Sequence, residues 1–321
     1  AVTTGELVVR EGYLPGAVLA RVASSHIRIG TFEYFAARRD NDSLTTLCEH
    51  VIARHFPEAA DAENPILAML EGAIGLQCEL VAQWQLLGFI HGVMNTDNML
   101  LCGETIDYGP CAFMDAFNPE QVYSSIDQQG RYAYRNQPGI AHWNLACLAQ
   151  TLMPLLDEEE ETAVKLAQAT IDAFPDLFLE AHQQGMGRKL GLQLEGDADE
   201  ALVQDLLGVM AETGADFTLT FRALADLANP DTAQPGLDSI FTLPAGFDDW
   251  LGRWRERCEQ EPTSAVERQA AMYAVNPVFI PRNHQVEAAI RAAEDEGDFQ
   301  PFQGLVERLA NPFDFDPADT D

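Results

Sequence analysis

The residues best equipped for chemistry lie in the stretch HGVMNTDNML, residues 91–100, and in Thr105-Ile106-Asp107-Tyr108-Gly109 just beyond it. Asp97 offers a carboxylate that can take a proton. Asn98 and Asp107 carry hard oxygens, the donors magnesium prefers, usually one or two side chains alongside phosphate oxygens. Chemistry on nucleotide phosphates asks the protein mainly to position groups and neutralise charge. A carboxylate base next to a two-oxygen metal site is a pattern suited to that task. Asp, Asn and Gly are also ordinary turn residues. The reading therefore rests on the joint pattern and on its place after a long helical stretch, flanked by short apolar runs.

Kinase-like sites use an Asn in a catalytic loop and an Asp-x-Gly a short hairpin later. Small-molecule phosphotransferases of that fold often read HGD-x(4)-N, then ID-[FW]. Here His91 and Asn98 keep that separation, and Ile106-Asp107-Tyr108-Gly109 supplies the second half. Met99 to Cys102 is expected as a short strand, Gly103-Glu104 as the turn, and Thr105-Ile106 as the lead into Asp107. The usual base position, two after the His, is Val93. Asp97, directly before the Asn, is a nearby substitute. His91 itself reads as a structural residue that holds the loop backbone.

At this point a resemblance becomes specific. HGVMNTDNM followed by TIDYGPCAFMDAF is similar to the hallmark stretch of the selenoprotein O (YdiU) family. PGAVLARVASSHIRIGTFEYFAAR, GRYAYRNQPGIAHWNLACLAQTL, DFTLTFRAL and NPVFIPRNHQVEAAI resemble its other segments, so the likeness covers roughly residues 1–295. The resemblance implies a protein-kinase-like fold that transfers AMP from ATP to Ser, Thr or Tyr hydroxyls of proteins. It implies Asp97 as base, Asn98 and Asp107 on Mg²⁺ (with Mn²⁺ as a substitute), and Asp107 near the nucleotide. Arg21 and Arg28, in ARVASSHIRIG, match two arginines that the family places on the phosphates. If that segment is helical, the pair shares one face, and guanidinium forks suit phosphate oxygens.

Two departures qualify the resemblance. No G-x-G-x-x-G is present, and both lysines, Lys165 and Lys189, fall after Asp97. The expectation is a chain that starts after the glycine-rich loop and the ATP-binding lysine of a first lobe. The last cysteine is Cys258, whereas many relatives carry a Cys or selenocysteine near the end. Ordinary phosphoryl transfer, UMP transfer, or an inactive pseudokinase fragment remain as alternatives.

The elements that must position these groups are mainly helical. Residues 1–30 read as extended, with a turn at Leu14-Pro15-Gly16 and a short helix from 17 to 29. Helical periodicity then covers 30–57 and 65–88, the latter ending at Gly88 as a C′ glycine. After Arg131 it recurs at 140–155, 158–174, 175–186, 198–213, 216–227, 246–260, 264–274 and 284–294. The fold class is α+β, mainly α: the helical lobe of a kinase-like fold with a small β element around the metal site. Residues 1–30 are read as a remnant of the first lobe and its connection, 31–310 as the catalytic lobe, and 311–321 as an acidic tail that frays.

Composition narrows the partners. The net charge of −32 excludes a broad basic surface for nucleic acid. No run of about 18 apolar residues suggests a membrane span, and the start lacks a signal-peptide pattern. The six cysteines form no C-x-x-C pair and read as reduced thiols in a cytoplasmic protein. Tyr132, Tyr134 and Trp143 are expected in the core, Arg253, Arg255 and Arg257 on a solvated helix, and Asp115 and Asp127 as surface carboxylates.

Overall fold

The computed structural model describes residues 1–9, 12–229 and 242–315. It opens with an antiparallel hairpin, β1 (Val2–Val9) and β2 (Tyr13–Val18), paired from Val2↔Val18 to Val9↔Tyr13. Leu14-Pro15-Gly16 lies inside β2 and is not a turn. Residues 19–28 are irregular, so the expected helix over 17–29 is absent. Tertiary pairing explains this. The Ile29 N–H donates to the Met99 carbonyl at 3.0 Å and the Leu101 N–H to the Ile27 carbonyl at 3.1 Å, so the segment docks as an extended edge.

The helical pattern over 30–57 divides in two. α1 (Ile29–Ala36) and α2 (Asn41–His55) are separated by a turn in which Arg39 takes a left-handed φ of 55°. The Asp40 side chain caps α2 by accepting from the Ser43 N–H. α3 (Pro65–Leu87) starts on an Asn64 cap with Pro at its first turn and ends at left-handed Gly88, as its sequence requires. Two-residue strands β3 (Phe89–Ile90) and β4 (Ala112–Phe113) pair antiparallel around the chemical loop. Of the expected Met99–Cys102 strand, only the Met99↔Thr105 and Arg28↔Leu100 bridges form.

The remaining helices are α4 (Gln137–Leu156), α5 (Glu160–Asp172), α6 (Phe174–Leu190), α7 (Gly196–Thr213) and α8 (Phe217–Leu227). They are followed by α9 (Asp248–Cys258), α10 (Ala265–Val275), α11 (Asn283–Arg291) and α12 (Gln300–Leu309), the last of which was not anticipated. A π turn over Ala292–Glu296 follows α11. The Pro- and Gly-punctuated stretch 229–247, expected to separate two helices, has its residues 230–241 outside the described residues.

Two apolar cores flank the chemical loop. One gathers α1 to α5 around Phe32, Leu70, Ile74, Leu145 and Leu148. The other joins α6 to α10 around Phe217, Phe221, Trp250 and Trp254. α3 and α6 link them, and Gly185 permits the approach: a Cβ there would lie 2.0 Å from a Leu86 methyl. By length and composition α3 could cross a membrane. Here it is the central core helix, with Met69, Leu70, Ala73, Ile74 and Val81 all buried.

Several surface expectations need correction. Trp143 is half exposed, not in the core. Arg257 is half-buried and donates to Asp199, Glu261 and the Gln193 carbonyl. The first part of the tail is tied down: the Val278 N–H donates to the Pro312 carbonyl and Arg222 to the Phe313 carbonyl. Residues 316–321 lie outside the described residues.

Lys189 closes α6 inside the second core, its Nζ 4.1 Å from the Phe221 ring centre. Burial pulls its pKa down to about 7. Unfolded lysine titrates near ~10.4. Between these values the unfolded chain binds the extra proton, so stability rises with pH across that window. Lys189→Met is therefore expected to raise Tm by a few degrees at pH 7, with the gain shrinking towards pH 10. Calorimetry at both pH values checks this; an equal gain at each would contradict it.

Candidate active site

The loop from Phe89 to Leu101 holds the two-residue β3, a 3-10 turn over Thr96–Asn98 and bridges at Met99 and Leu100, and runs between two cores with the rest of its backbone irregular. Its backbone groups need partners there. Buried amide side chains from α3 and α4 supply them. Gln137 donates to the Phe89 carbonyl and accepts from the His91 N–H, both at 2.9 Å. Asn144 donates to the Met94 carbonyl at 2.9 Å, and Gln77 to the Leu100 carbonyl at 2.6 Å. Gln85 donates to the Tyr134 carbonyl and receives the Tyr134 hydroxyl on its own carbonyl. These clamps escaped the sequence reading; the signal for them was amides embedded in otherwise apolar helical stretches.

His91 is fully buried against Trp84 and Phe89. Its Nε2 lies 2.7 Å from the Ile106 carbonyl, and its Nδ1 accepts from the Val93 N–H. Nε2 must therefore carry the proton, and burial lowers the pKa of the ring. Both ring nitrogens are used, so His91 ties the loop to the strand before Asp107 instead of facing a substrate.

That tie sets the next contact. Asn98 spends both amide hydrogens, one on the Val93 carbonyl at 2.9 Å and one on Asp107 Oδ2 at 3.0 Å. Its Oδ1 and the second Asp107 oxygen remain as hard donors on neighbouring side chains. Asp107 sits at φ 62°, a left-handed backbone that costs a non-glycine residue about 1 kcal/mol or more. Such outliers gather at functional sites. Among the described residues no group of three or more His, Cys, Asp and Glu is placed to hold a metal. The Asn98–Asp107 pair fits instead a magnesium that takes its other oxygens from phosphate and water.

Asp97 is exposed, with its N–H held by the Asn95 side chain at 3.0 Å. Its carboxylate rests on Gly30 of α1, where a Cβ would come within 2.1 Å of Oδ1. Only glycine leaves room for that orientation.

The arginines do not share a helical face. Arg21 is exposed and lines a cleft of about 630 Å³, together with His26, Glu104, Thr105, Ile106 and Tyr108. A cleft of that size suits a small ligand. Arg28 is half-buried beside Leu100, and its Nε is buried without a hydrogen-bond partner among the described residues. Glu104 anchors the intervening segment by accepting from the Ser24 N–H and hydroxyl. Arg54 adds two donations to the Ser24 carbonyl.

The other carboxylates have structural work. Asp115 and Asp216 both pair with Arg282, which fastens the segment after β4 to the N-cap of α8. Asp127 accepts from the Arg131 and Tyr132 N–H groups.

A loop carboxylate beside an oxygen-donor pair is suited to phosphate chemistry in a mainly helical chain, while Arg21 lines a cleft that Arg28, Asp97, Asn98 and Asp107 do not line. The sequence profile described as Protein adenylyltransferase SelO matches residues 1–310, and the chain belongs to this family. A relative from Bradyrhizobium diazoefficiens named Protein nucleotidyltransferase YdiU is 59% identical over 99% of the chain. Relatives of the same name from Methylorubrum populi and Rhodopseudomonas palustris are 57% and 56% identical over 99% and 98% of it. The chain spans 64%, 65% and 64% of these proteins in turn.

The amide clamp is testable on its own. Gln137→Leu keeps most of the volume but leaves the Phe89 carbonyl and the His91 N–H buried and unpaired. An unsatisfied buried group costs about 1–3 kcal/mol, so stability should fall by about 2–5 kcal/mol. Denaturant unfolding reads this; a loss under about 0.5 kcal/mol would show that the loop finds other partners.

Proposed function

We propose that this chain is the catalytic part of a nucleotidyltransferase with a protein-kinase-like fold, which moves AMP from ATP to Ser, Thr or Tyr hydroxyls of proteins. The observation that carries the reading is the Asn98–Asp107 pair held at 3.0 Å beside the exposed Asp97. The family membership and the relatives' printed name, protein nucleotidyltransferase, support the same class of reaction. The six cysteines, all free thiols, accord with a cytoplasmic setting.

In this reading Asp97 takes the proton from the acceptor hydroxyl. The freed oxygen attacks the α-phosphorus, the bond to the bridging oxygen breaks, and pyrophosphate leaves. Asn98 Oδ1 and the Asp107 carboxylate would hold Mg²⁺ or Mn²⁺, which would supply charge neutralisation at the phosphates. Arg28, whose Nε has no partner among the described residues, and Arg21, in the cleft that Thr105, Ile106 and Tyr108 also line, would neutralise phosphate oxygens as charge shifts to the leaving group. Gly30 keeps Asp97 aimed.

The test compares ATP labelled at the α-phosphate with ATP labelled at the γ-phosphate, using the protein at its full natural length, Mg²⁺ and a protein acceptor. Transfer of the α label alone is expected. Transfer of the γ label alone would make it a conventional kinase, and no transfer would leave a binding module. Asp107→Asn keeps the side-chain shape and should hold Tm within about 2–3 °C. The same change should weaken Mg²⁺-dependent ATP binding at least ~10-fold, or about 1.4 kcal/mol. Gly30→Ala displaces the Asp97 carboxylate and should cut transfer at least ~10-fold with ATP affinity unchanged. Full activity in Gly30→Ala would remove Asp97 from the role of base.

A further inference from the structure

The helix that seats Asp97 also forms one wall of a groove leading away from it. On α1, Gly30, Glu33 and Ala37 follow helical spacing and share one face. Asp97 rests on the first of them. Glu33 and Ala37, joined by Arg39, line a groove of about 580 Å³ against α4. The opposite wall is Cys147, Gln150 and Pro154, again at helical spacing. Pro154 has no N–H to give the Gln150 carbonyl, so the helix ladder is broken where it faces the groove.

Glu33 is half-buried and makes no ion pair among the described residues. Its placement towards α4 shows in the Cys147 thiol, whose pKa is raised by burial first and then by the Glu33 carboxylate. Beyond Cys147 on α4 stands Trp143, half exposed, with the Arg131 guanidinium 4.9 Å from its ring centre.

We infer that this α1–α4 groove holds the acceptor protein, as an extended segment with Lys or Arg within about three residues of the modified hydroxyl. The inference rests on the transfer reaction proposed above. Its length follows from geometry. At ~1.5 Å per helical residue, Glu33 lies roughly 5 Å and Ala37 roughly 10 Å along α1 from Gly30. An extended chain covers that distance in one to three residues at ~3.3 Å each. The occupant's charge follows from Glu33, the acid in the groove's lining on the turn after Gly30, and from a net charge of −32 that draws basic partners; Arg39, the lining's cation, follows the end of α1 beyond Ala37. Gln150 and the open carbonyl offer hydrogen bonds to an extended backbone.

The test uses peptides with one central Ser and with Arg, Ala or Glu placed in turn at each flanking position. Incorporation from α-labelled ATP is read as kcat/KM for the peptide. Arg within three residues should exceed Glu at the same position at least ~10-fold, mostly through KM. Glu33→Arg should reverse that preference and leave the KM for ATP unchanged. Gln150→Glu, an exposed change on the other wall, should increase the preference and keeps the test valid if Glu33→Arg fails to fold. Transfer with no flank preference, or a preference that neither variant alters, overturns the groove alone. No transfer from α-labelled ATP to any acceptor overturns the proposed reaction and the groove together.

Discussion

A loop whose own structure is a two-residue strand, one 3-10 turn and bridges at Met99 and Leu100, and which passes between two apolar cores, needs side chains to pair the rest of its backbone. This constraint organises the protein. Gln77 of α3 and Gln137 and Asn144 of α4 meet it, each as a buried amide aimed at loop backbone, while Gln85 of α3 secures Tyr134 ahead of α4. Amides suit the task because they donate and accept without a charge that burial would penalise. The length and close packing of α3 follow from the same need. It must reach from the core around Phe32 and Leu70 to α6 while presenting Gln77 and Gln85 at chosen turns.

From the clamped loop, geometry passes outward in short steps. His91 links the loop to Ile106, Ile106 leads into Asp107, and Asp107 meets Asn98. Each link shares a buried or half-buried partner, and the chain of contacts sets the spacing of the two oxygen donors. The left-handed backbone at Asp107 is a local cost that the His91 tie supports. Asp97, by contrast, is held by one Asx contact and the floor that Gly30 provides. A rigid oxygen pair beside a freer carboxylate suits a site where one part binds phosphate and the other meets a varied acceptor.

The sequence singled out candidate residues for chemistry more readily than the architecture around them. Asp97, Asn98 and Asp107 stood out because their types and spacing are local. The long helices were legible from periodicity, and Gly88 marked the end of α3. The segment 17–29 was read as helix, since its pairing partners, Met99 and Leu101, are remote in sequence. Periodicity over 30–57 concealed a break, because the turn at Arg39 interrupts the chain without disturbing the apolar spacing. Trp143 was placed in the core on residue type alone, although it stands on the surface of α4. The amide clamps were illegible for a related reason. A glutamine in an apolar helix looks like a solvent-facing residue until the loop it serves is known.

The central claim is that Asn98 and Asp107 form one binding unit for a cation-bridged nucleotide. The most direct measurement is a crystal structure with Mn²⁺ and a non-hydrolysable ATP analogue, read by the anomalous signal of the metal. The account predicts a peak at ~2.0–2.6 Å from Asn98 Oδ1 and an Asp107 oxygen, with phosphate oxygens completing the shell on the side of Arg28. A nucleotide whose metal lies away from both residues, or an Asn98–Asp107 pair that separates when the nucleotide binds, would contradict it.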